Sequence, residues 1–297
     1  MHASVLRYLR EVARCGSVRK AATALRVASS AVNRQILKLE DELGVRLFDR
    51  LPEGMRLTPA GEVLLRHVRD TLHDYDRLVA EIDGLRGIRT GHVRIAALDS
   101  LLLDLLPGAL ERFVAAYPAV TFSVVSASPS DVFRQVQAAE ADLGLTFVAP
   151  AGPALQSVVS VPAPIGAIMT ASHPLAGRKR LGFEELLLFP ALIQRDNLPA
   201  PSFVDDDYAA FRAAVQVRFA SNEIAFIKRL LRSGLGVGFY TRFAFLAELA
   251  AGEMVWVPLA SPRLAEQHIG LFVPTQRSLS PAGNALVGEL AKWLEAL

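Results

Sequence analysis

The residues best suited to chemistry lie in one short stretch, ASSAVNRQILKLE, which occupies positions 28–40. Asn33 and Arg34 are side chains that can each form a pair of hydrogen bonds with the edge of a nucleic-acid base. Ser30 and Lys38 can reach phosphate oxygens. On a helix these four side chains share one face, because residues three and four apart lie on the same side. The stretch therefore carries the groups needed to read a DNA groove.

The opposite face of the same helix is apolar. Four residues are predicted to pack inward, and they are Val32, Ile36, Leu39 and Leu43. Leu37 is the one large apolar residue on the polar face. Any amphipathic surface helix shows a similar pattern, so the neighbouring segments must decide between the two interpretations.

Two helices are predicted before this stretch, and they would fix its position in the fold. An apolar repeat at helical spacing gives a first helix near 5–13, and Gly16-Ser17 ends it. Ser17 can cap a second helix over 18–25, which directs Arg19 and Lys20 outward. A short link at 26–28 then leads into the stretch described above. Two helices joined by a tight turn, the second with a polar outer face, predict a helix-turn-helix.

A β-hairpin is expected directly after these helices. Residues 43–58 are interpreted as two short strands around the turn Pro52-Glu53-Gly54, which would form a wing. Arg50 and Arg56 are favoured over Arg46 as contacts to backbone phosphates or the minor groove. The alternative is that these arginines are only solvated.

The motif that these elements share is dense. Its residues are Gly16-Ser17, Ala21-Ala22, Leu25, Ala31-Val32, Arg34-Gln35-Ile36, Leu39-Glu40, Leu43-Gly44, Leu47-Phe48, Arg50, Leu57-Thr58 and Gly61. With this motif the segment resembles the N-terminal domain of the LysR-type transcriptional regulators. The resemblance implies a winged helix-turn-helix that binds double-stranded DNA. The residues expected to contact DNA are Ser17, Arg19, Lys20, Ser29, Ser30, Asn33, Arg34, Lys38, Arg50 and Arg56.

The chain departs from the family pattern at several positions. Ala28-Ser29-Ser30 stands where the family usually has Ser-Gln-Pro, so Ser29 is expected to supply the missing helix cap. Asn33 stands where Ser is common, Leu37 where a basic residue is common, and Val18 where Phe is common. These departures keep one alternative open, a small-molecule-binding sensor whose DNA-binding head has lost or altered operator recognition.

A long helix is predicted from Pro59 to about residue 85, with Thr58 as its cap and Glu62 in its first turn. Apolar residues along it step by three and four, and they are Leu65, Val68, Leu72, Tyr75, Val79 and Ile82. Such a seam favours a partner helix over packing on its own body. The resemblance implies a linker helix with this dimerising role. We therefore expect a homodimer, with a homotetramer as its larger assembly.

The rest of the chain alternates strands and helices. A βαβαβ run with parallel crossovers is predicted over 92–148, and residues 149–164 are interpreted as a crossover. If the first helix of the run begins after Asp104 as N-cap, Pro107 falls in its first turn, where no hydrogen-bond partner is needed. A second set is expected over 165–240. Its strands are placed at 165–170, 191–194, 215–219 and 237–240, and its helices at 183–187 and 223–232.

A short helix at 243–250, a returning strand at 268–273 and a last helix at 281–297 complete the prediction. SHPLAGR, LLRSGLGVGFYTRF and LAAGEMVWVPL resemble the effector-binding half of the same family, whose fold is similar to that of periplasmic solute-binding proteins. The fold class expected is α+β multidomain: an N-terminal winged helix-turn-helix, a long linker helix and a C-terminal effector domain of two α/β subdomains. The boundaries expected are 1–58 for the DNA-binding domain, 59–90 for the linker, 91–161 with 267–297 for subdomain I, and 162–266 for subdomain II.

In such a fold an effector lies outside the carboxyl ends of the strands, near helix N-termini. The candidate effector residues at those positions are Ser100, Ser128, Phe147, Arg195, Ser221, Asn222 and Thr241. Capping of the next helix is the commoner role for the serines and Asn222. The effector itself cannot be named from these residues. Arg195 would suit an anion, whereas Asp99 would suit an amine or a hydroxyl.

Composition excludes several other classes of protein. With 52% apolar and 21% charged residues the chain is globular. Residues 1–60 hold eleven basic and six acidic side chains, a net charge of +5, whereas residues 91–297 have a net charge of −2. A basic head on a near-neutral body suits nucleic-acid binding. Cys15 is the single cysteine, which fits a reducing cytoplasm.

No signal peptide, membrane span, catalytic constellation, metal site or cofactor motif is recognised. GLGVG at 234–238 follows a helix and precedes a strand, the reverse of the order that a dinucleotide loop needs. The sequence therefore predicts a cytoplasmic, non-enzymatic protein that needs no cofactor and does not bind membranes.

Overall fold

The computed structural model describes residues 3–52, 54–85, 90–149, 152–195 and 206–296. The chain forms two compact units: the first contains residues up to 88, and the second contains the rest of the chain apart from residues 138–140. Glu53 and Asp205 lie outside the described residues, as does most of the segment 87–91, where the sequence predicts a hinge between the linker helix and the α/β body. Each unit is described by itself.

The first unit is a winged helix-turn-helix followed by one long helix. Its elements are α1 (Ala3–Cys15), α2 (Val18–Leu25), α3 (Ser29–Leu43), β1 (Phe48–Leu51), β2 (Gly54–Leu57) and α4 (Pro59–Leu85). The two strands pair antiparallel, with Phe48 opposite Leu57 and Arg50 opposite Met55. The helix-turn-helix, the wing and the long helix were all predicted from the sequence, and α2 has the bounds expected.

Local capping explains most of the boundaries in this unit. The Ser17 hydroxyl accepts a hydrogen bond from the Lys20 amide at 3.4 Å, and Gly44 ends α3 with a left-handed backbone conformation. The Thr58 hydroxyl accepts from the Gly61 amide at 3.1 Å at the start of α4. The expectation that Ser29 replaces the missing cap of α3 is wrong. Ser29 is the first helical residue, and Ala28 holds the cap position without a side-chain bond.

One apolar core holds the first unit together. The fully buried side chains of α1 and α3 include Leu9, Val12, Val32 and Ile36, each at most 1% exposed. Leu39 is buried with them, but Leu43 is 45% exposed. The prediction that Leu43 packs inward is therefore wrong, because α3 ends at this residue and the core does not extend beneath its last turn.

The first half of α4 belongs to the same core. Leu65, Val68 and Leu72 are 2%, 0% and 2% exposed and pack with the apolar residues of α1 and α3. The prediction that these three residues face a partner helix is corrected, since side chains already buried in their own unit cannot also contact another chain. The spacing of the apolar residues identified a stripe along α4, and α1 and α3 of the same unit cover the first half of that stripe.

The second unit is an α/β body. Its strands are β3 (Gly91–Ala97), β4 (Val120–Ser126), β5 (Leu143–Phe147), β6 (Leu155–Pro162), β7 (Gly166–Thr170), β8 (Ala191–Gln194), β9 (Val217–Ser221), β10 (Gly238–Tyr240), β11 (Met254–Pro258) and β12 (His268–Pro274). Its helices are α5 (Leu105–Ala116), α6 (Pro129–Gln137), α7 (Phe183–Leu186), α8 (Asp206–Ala214), α9 (Ile224–Arg232), α10 (Leu246–Ala250), α11 (Pro262–Ala265) and α12 (Pro281–Glu295).

The strands divide between a large sheet and two smaller ones. The large sheet has the order β4-β3-β5-β12-β6, with β3 parallel to β4 and β5, and β12 antiparallel to β5 and β6. This arrangement confirms the predicted parallel βαβαβ run and the returning strand. The smaller sheets are the antiparallel β10-β7-β11 and the parallel pair β8-β9. A bridge between Ala191 and Val237 lies next to both of them.

Several elements differ from the prediction. Residues 155–162, interpreted as part of a crossover, form the edge strand β6, because Pro153 and Pro164 lie outside the strand and Pro162 is its last residue. The helices α8 and α11 and the strand β11 were not predicted. The strand β9 begins two residues later than expected, at Val217. Pro107 lies in the first turn of α5, as the placement of Asp104 at the N-cap position requires.

No helix in the described part of the chain is long and apolar enough to cross a membrane. Among the same residues there is no group of three or more His, Cys, Asp or Glu side chains that could hold a metal ion.

Candidate functional site

The first unit carries an exposed, basic and polar surface on α2, α3 and the wing. Eight of the ten residues predicted to contact DNA are exposed, and they are Arg19, Lys20, Ser29, Ser30, Arg34, Lys38, Arg50 and Arg56. Ser17 and Asn33 are half-buried. Lys38 forms only a loose ion pair with exposed Glu42, at 3.7 Å. We call these ten residues the basic face.

The wing is tied to α3 on this face. A terminal nitrogen of Arg50 donates to the side-chain oxygen of Asn33 at 3.2 Å. The contact joins two of the predicted DNA-binding residues across the gap between helix and hairpin. It leaves the Asn33 amide nitrogen, a donor, as the group free to face a ligand.

A second tie, which sequence reasoning missed, comes from Glu40. One carboxylate oxygen of Glu40 accepts hydrogen bonds from the backbone amides of Leu47 and Phe48, at 2.7 Å and 3.2 Å. Leu47 and Phe48 are only 1% and 3% exposed, so these amides have little access to water. Glu40 is the first of three consecutive acidic residues near the end of α3, and it is half-buried whereas the other two are exposed. Glu40 fixes the start of the wing relative to α3.

The second half of α4 presents apolar side chains to solvent. Tyr75, Val79 and Ile82 are 48%, 41% and 43% exposed, and Leu78, which was not predicted, is 51% exposed. Within the described chain these four residues form an uncovered apolar strip, which we call the distal strip. It is the part of the predicted seam that remains available to another molecule.

The second unit contains a cleft at the carboxyl ends of β3, β5, β8 and β10. It encloses about 630 Å³ of empty space, part of it open to solvent. Its described lining is Leu98, Asp99, Ser100, Phe147, Ile165, Leu192, Ile193, Gln194, Tyr208, Arg212, Phe239, Tyr240 and Thr241. Residues from both the large sheet and the smaller sheets contribute to the wall. Clefts with apolar walls and a few polar groups are typical small-molecule sites.

The polar groups of the cleft are held by neighbouring side chains. The Asp99 carboxylate accepts from the Ser100 amide at 2.7 Å and from the side-chain nitrogen of Gln194. Asp99 lies just after β3 of the large sheet and Gln194 ends β8 of a smaller sheet, so their bond links the two walls. Tyr208 is hydrogen-bonded to Arg212, and both residues lie on α8.

Two buried hydroxyls of the cleft lack partners among the described residues. Tyr240 and Thr241 are 8% and 4% exposed, and neither hydroxyl makes a hydrogen bond there. Burial, together with the charge of Asp99, raises the pKa of Tyr240, so this hydroxyl stays protonated and can donate. Burial likewise raises the pKa of Tyr208, and the charge of Arg212 acts in the opposite direction.

The structure brings only some of the predicted effector residues into this wall. Ser100, Phe147 and Thr241 line the cleft, whereas Ser128, Arg195, Ser221 and Asn222 are not part of its described lining. The prediction that these last four residues contact the effector is therefore corrected, and their hydrogen bonds show why.

The Ser128 hydroxyl is used at the start of α6, where it accepts from the Asp131 amide at 3.3 Å and donates to the Asp131 carboxylate at 2.8 Å. That bond lowers the pKa of Asp131. Ser128 therefore has the capping role that was the alternative. The Ser221 hydroxyl accepts from the Glu223 amide at 3.1 Å, in a turn that precedes α9, whose N-cap position is held by Glu223 without a side-chain bond. Arg195 is exposed, and its backbone amide donates to the carbonyl of Ser221 at 2.8 Å. Asn222 contributes its backbone carbonyl to Gln194 at 3.4 Å.

Sequence reasoning missed Gln194, Tyr208 and Arg212. The two residues of α8 were missed because this helix was not predicted. Its signal was present, since Asp206 and Asp207 stand in the first turn and Tyr208 and Phe211 share one face.

A buried ionic cluster includes Asp104, which follows the cleft residues Asp99 and Ser100 in the sequence. Lys228 of α9 is 13% exposed and lies 3.1 Å from Asp104 and 2.9 Å from Glu248. Its ammonium group also donates to the carbonyl of Ala244 at 2.9 Å. Asp104 stands just before α5, and Glu248 lies on α10. We call Lys228, Asp104 and Glu248 the lysine cluster.

The comparison with known proteins agrees with this geometry. Residues 4–62 match the bacterial regulatory helix-turn-helix protein, lysR family, and residues 86–295 match the LysR substrate binding domain. The chain belongs to the LysR family. It is a DNA-binding transcriptional regulator with an effector-binding domain.

Two relatives show how far the LysR resemblance extends. The HTH-type transcriptional regulator CysB of Haemophilus influenzae is 30% identical over 249 residues, which cover 82% of this chain and 76% of CysB. The transcriptional dual regulator GltC of Bacillus subtilis is 30% identical over 285 residues, which cover 94% of this chain and 93% of GltC. Both are named as regulators of transcription rather than as enzymes.

Solved LysR structures share the fold. A full-length OxyR variant from Pseudomonas aeruginosa matches with a TM-score of 0.70 at 19% identity, covering 99% of this chain and 95% of that one. Full-length CbnR complexed with its target DNA matches with a TM-score of 0.61 at 20% identity, covering 99% and 100%. At this level of identity the likeness concerns the fold alone.

Proposed function

We propose that this LysR-family regulator binds double-stranded operator DNA through its basic face, associates through the distal strip, and is modulated by a small molecule bound in the cleft. The basic face carries the DNA part of the proposal, because its cations are exposed while the apolar side of α3 is buried in the core. Its direct test is binding of the purified full chain to the DNA upstream of its own gene. Affinity should fall steeply as salt rises, since each neutralised phosphate contributes about −0.9 to the logarithmic slope.

Arg34 is the side chain on which the DNA proposal depends most. Replacing it by alanine should weaken operator binding by about 1–3 kcal/mol, because Arg34 is exposed at the centre of the polar side of α3. Fluorescence anisotropy with labelled DNA measures the change. The matched control is Arg178→Ala, which removes one exposed cation from the second unit and should leave affinity unchanged. Equal affinity of Arg34→Ala and the wild type would remove Arg34 from the interface.

The distal strip supports self-association. Tyr75, Leu78, Val79 and Ile82 lie on one side of α4 and are each more than 40% exposed, which is unusual for neighbouring large apolar residues. A second copy of the same strip would cover them, as in a two-helix coiled coil. We propose a homodimer formed in this way, with two basic faces that read two half-sites, and a homotetramer as the further assembly.

Val79→Glu should dissociate the dimer. A carboxylate at this position would face the partner strip, where its desolvation is not compensated. Light scattering coupled to gel filtration should then give the mass of one chain at concentrations where the wild type gives a multiple of it. Val63→Glu is the matched control, because Val63 is 64% exposed on the same helix but outside the strip. A dimer that persists in Val79→Glu would show that another surface holds it.

The cleft supports the effector part of the proposal. It receives side chains from both sets of sheets, so a bound molecule would contact both walls and favour one of their relative positions. The subdomain boundaries expected from the sequence, 91–161 with 267–297 and 162–266, are retained as part of this proposal. Replacing Phe147, at 8% exposure, by tryptophan would fill part of the cleft and should abolish the response to the effector without affecting the basic face.

A further inference from the structure

One large apolar side chain lies among the residues of the basic face. Leu37 of α3 is 45% exposed, although it was not among the residues expected to contact DNA. Because an α-helix turns by about 100° per residue, Leu37 projects about 40° from Asn33 and about 60° from Arg34 around the helix axis. A molecule that covers Asn33 and Arg34 therefore covers Leu37 as well.

Leu37 is exposed because of the direction in which it projects. Leu43 has the same exposure, 45%, but it is the last residue of α3 and lies on the side of the buried Ile36, seven residues earlier. Leu43 is exposed because the core does not extend beneath the last turn of the helix. Leu37 instead stands in the middle of α3, directly after Ile36, and faces away from the core.

The charge of the surrounding surface indicates what covers Leu37. Arg34 and Lys38 are exposed cations on the same side of α3. A second copy of this face would bring like charges together, whereas the phosphates of DNA complement them. Leu37 is therefore expected to lose its contact with water when DNA is bound, and its partner belongs to the DNA.

The major groove offers an apolar side chain one suitable partner. Base edges there present hydrogen-bond donors and acceptors, and thymine adds the C5-methyl group. A leucine side chain has no atom that donates or accepts. Beside a cytosine amino group or a guanine oxygen, Leu37 would displace water without replacing the lost hydrogen bond. Beside a methyl group, both partners leave water favourably.

The polar neighbour of Leu37 favours the same base. The Asn33 side-chain oxygen accepts from Arg50 at 3.2 Å, so its amide nitrogen, a donor, is the group that faces a ligand. Thymine presents the O4 acceptor beside its methyl group, whereas cytosine presents an amino donor at the corresponding position. An amide donor with an apolar side chain about 40° away around the helix thus matches the edge of thymine.

We propose that Leu37 reads the C5-methyl group of a thymine in the major groove of each operator half-site. The proposal rests on the proposed function, which places the basic face on DNA. It assigns Leu37 as a residue that determines sequence specificity. Because the family commonly carries a basic residue at this position, the contact belongs to the target sequence of this chain.

The test compares two forms of the DNA upstream of the regulator's own gene, one containing thymine and the other containing uracil, which lacks the methyl group. Fluorescence anisotropy should show that the wild type binds the uracil form more weakly. The expected loss is about fourfold for each half-site contacted through Leu37, which corresponds to about 0.8 kcal/mol for one methyl-sized group. Leu37→Ala should bind the thymine form more weakly, and its preference for thymine over uracil should be smaller by the same factor.

Leu43→Ala is the matched control, since it removes the same atoms from an equally exposed leucine on the other side of α3. This variant should retain the full wild-type preference for thymine. Thermal unfolding should give Leu37→Ala nearly the melting temperature of the wild type, because surface substitutions change stability little. Single uracil substitutions in the bound DNA should then assign the Leu37-dependent loss to one thymine in each half-site.

The possible results separate this inference from the proposed function. Equal affinity of the wild type for the two forms of DNA would overturn the role of Leu37 while operator binding stands. A preference for thymine that persists unchanged in Leu37→Ala would assign the methyl contact to another side chain, and the inference would again be wrong. If the wild type binds neither form better than unrelated DNA of the same length, the proposed function itself fails.

Discussion

Replacing Lys228 by alanine is expected to lower the free energy of unfolding of the second unit by about 3–5 kcal/mol, the usual cost of removing one partner from a buried ion pair. The change leaves Asp104 and Glu248, 17% and 7% exposed at their side chains, without their shared cation. It also removes the hydrogen bond to the carbonyl of Ala244. Arg232, at 3.8 Å from Glu248, compensates only part of the loss. Urea unfolding measures the change.

Two further variants test whether buried charge causes this loss. Lys292→Ala removes a lysine that is 75% exposed and paired with Glu289 at 3.1 Å, and it should cost no more than about 1 kcal/mol. Adding Asp104→Asn and Glu248→Gln to the Lys228 variant should recover much of the stability, because no uncompensated charge remains. A loss below about 1 kcal/mol for Lys228→Ala would show that the cluster is solvated.

The lysine cluster also connects elements near the cleft. Asp104 follows the short turn at 99–101 that brings Asp99 and Ser100 into the wall, and Lys228 holds it to α9. The amide of Ala247, on α10, also donates to Asp104 at 3.3 Å. A Lys228 variant that remains folded should therefore bind the effector more weakly, since the turn loses its anchor.

Replacing Glu40 by alanine should destabilise the first unit by about 2–3 kcal/mol, because two backbone amides lose a charged acceptor and become buried without a partner. Those amides belong to Leu47 and Phe48 at the start of the wing. Because the wing would then no longer be held to α3, operator binding should weaken as well. Thermal unfolding and fluorescence anisotropy report the two effects.

Glu40→Gln and Glu42→Ala provide the controls for this second prediction. Glutamine retains one carbonyl oxygen that can accept from both amides, so its loss should be smaller than that of alanine. Glu42 is 57% exposed and loosely paired with Lys38, so its removal should change neither property appreciably. If Glu40→Ala has the same melting temperature as the wild type, water must replace the carboxylate as the hydrogen-bond acceptor of the two amides.

Sequence reasoning performed best where structure is decided locally. The cap at Ser17, the Thr58-Pro59 helix start and the N-cap position of Asp104 each depend on a few neighbouring residues, and all agree with the structure. The fold class was predicted for the same reason, because alternation of strands and helices is visible along the chain.

The incorrect predictions concern which side chains are covered by segments that are distant in the sequence. Periodicity identified the apolar stripe of α4 but could not show that Leu65, Val68 and Leu72 face the head while Val79 and Ile82 face outward. Similarly, a serine after a strand caps the next helix and can also line a cleft, and only the packing of distant segments distinguishes Ser100 from Ser128. Arg212 was missed because α8 was not predicted, and its place in the cleft wall depends on strands that are far away in sequence.

The burial of Leu65, Val68 and Leu72 in the head has a mechanical consequence. Because these side chains pack with α1 and α3, α4 acts as a lever that moves the helix-turn-helix when its far end tilts. From Val68 to its end at Leu85 this lever is about 25 Å long, and a tilt of about 5° at one end displaces the other by about 2 Å. In the proposed homodimer, small changes in how the two distal strips cross would thus change the spacing between the two recognition helices.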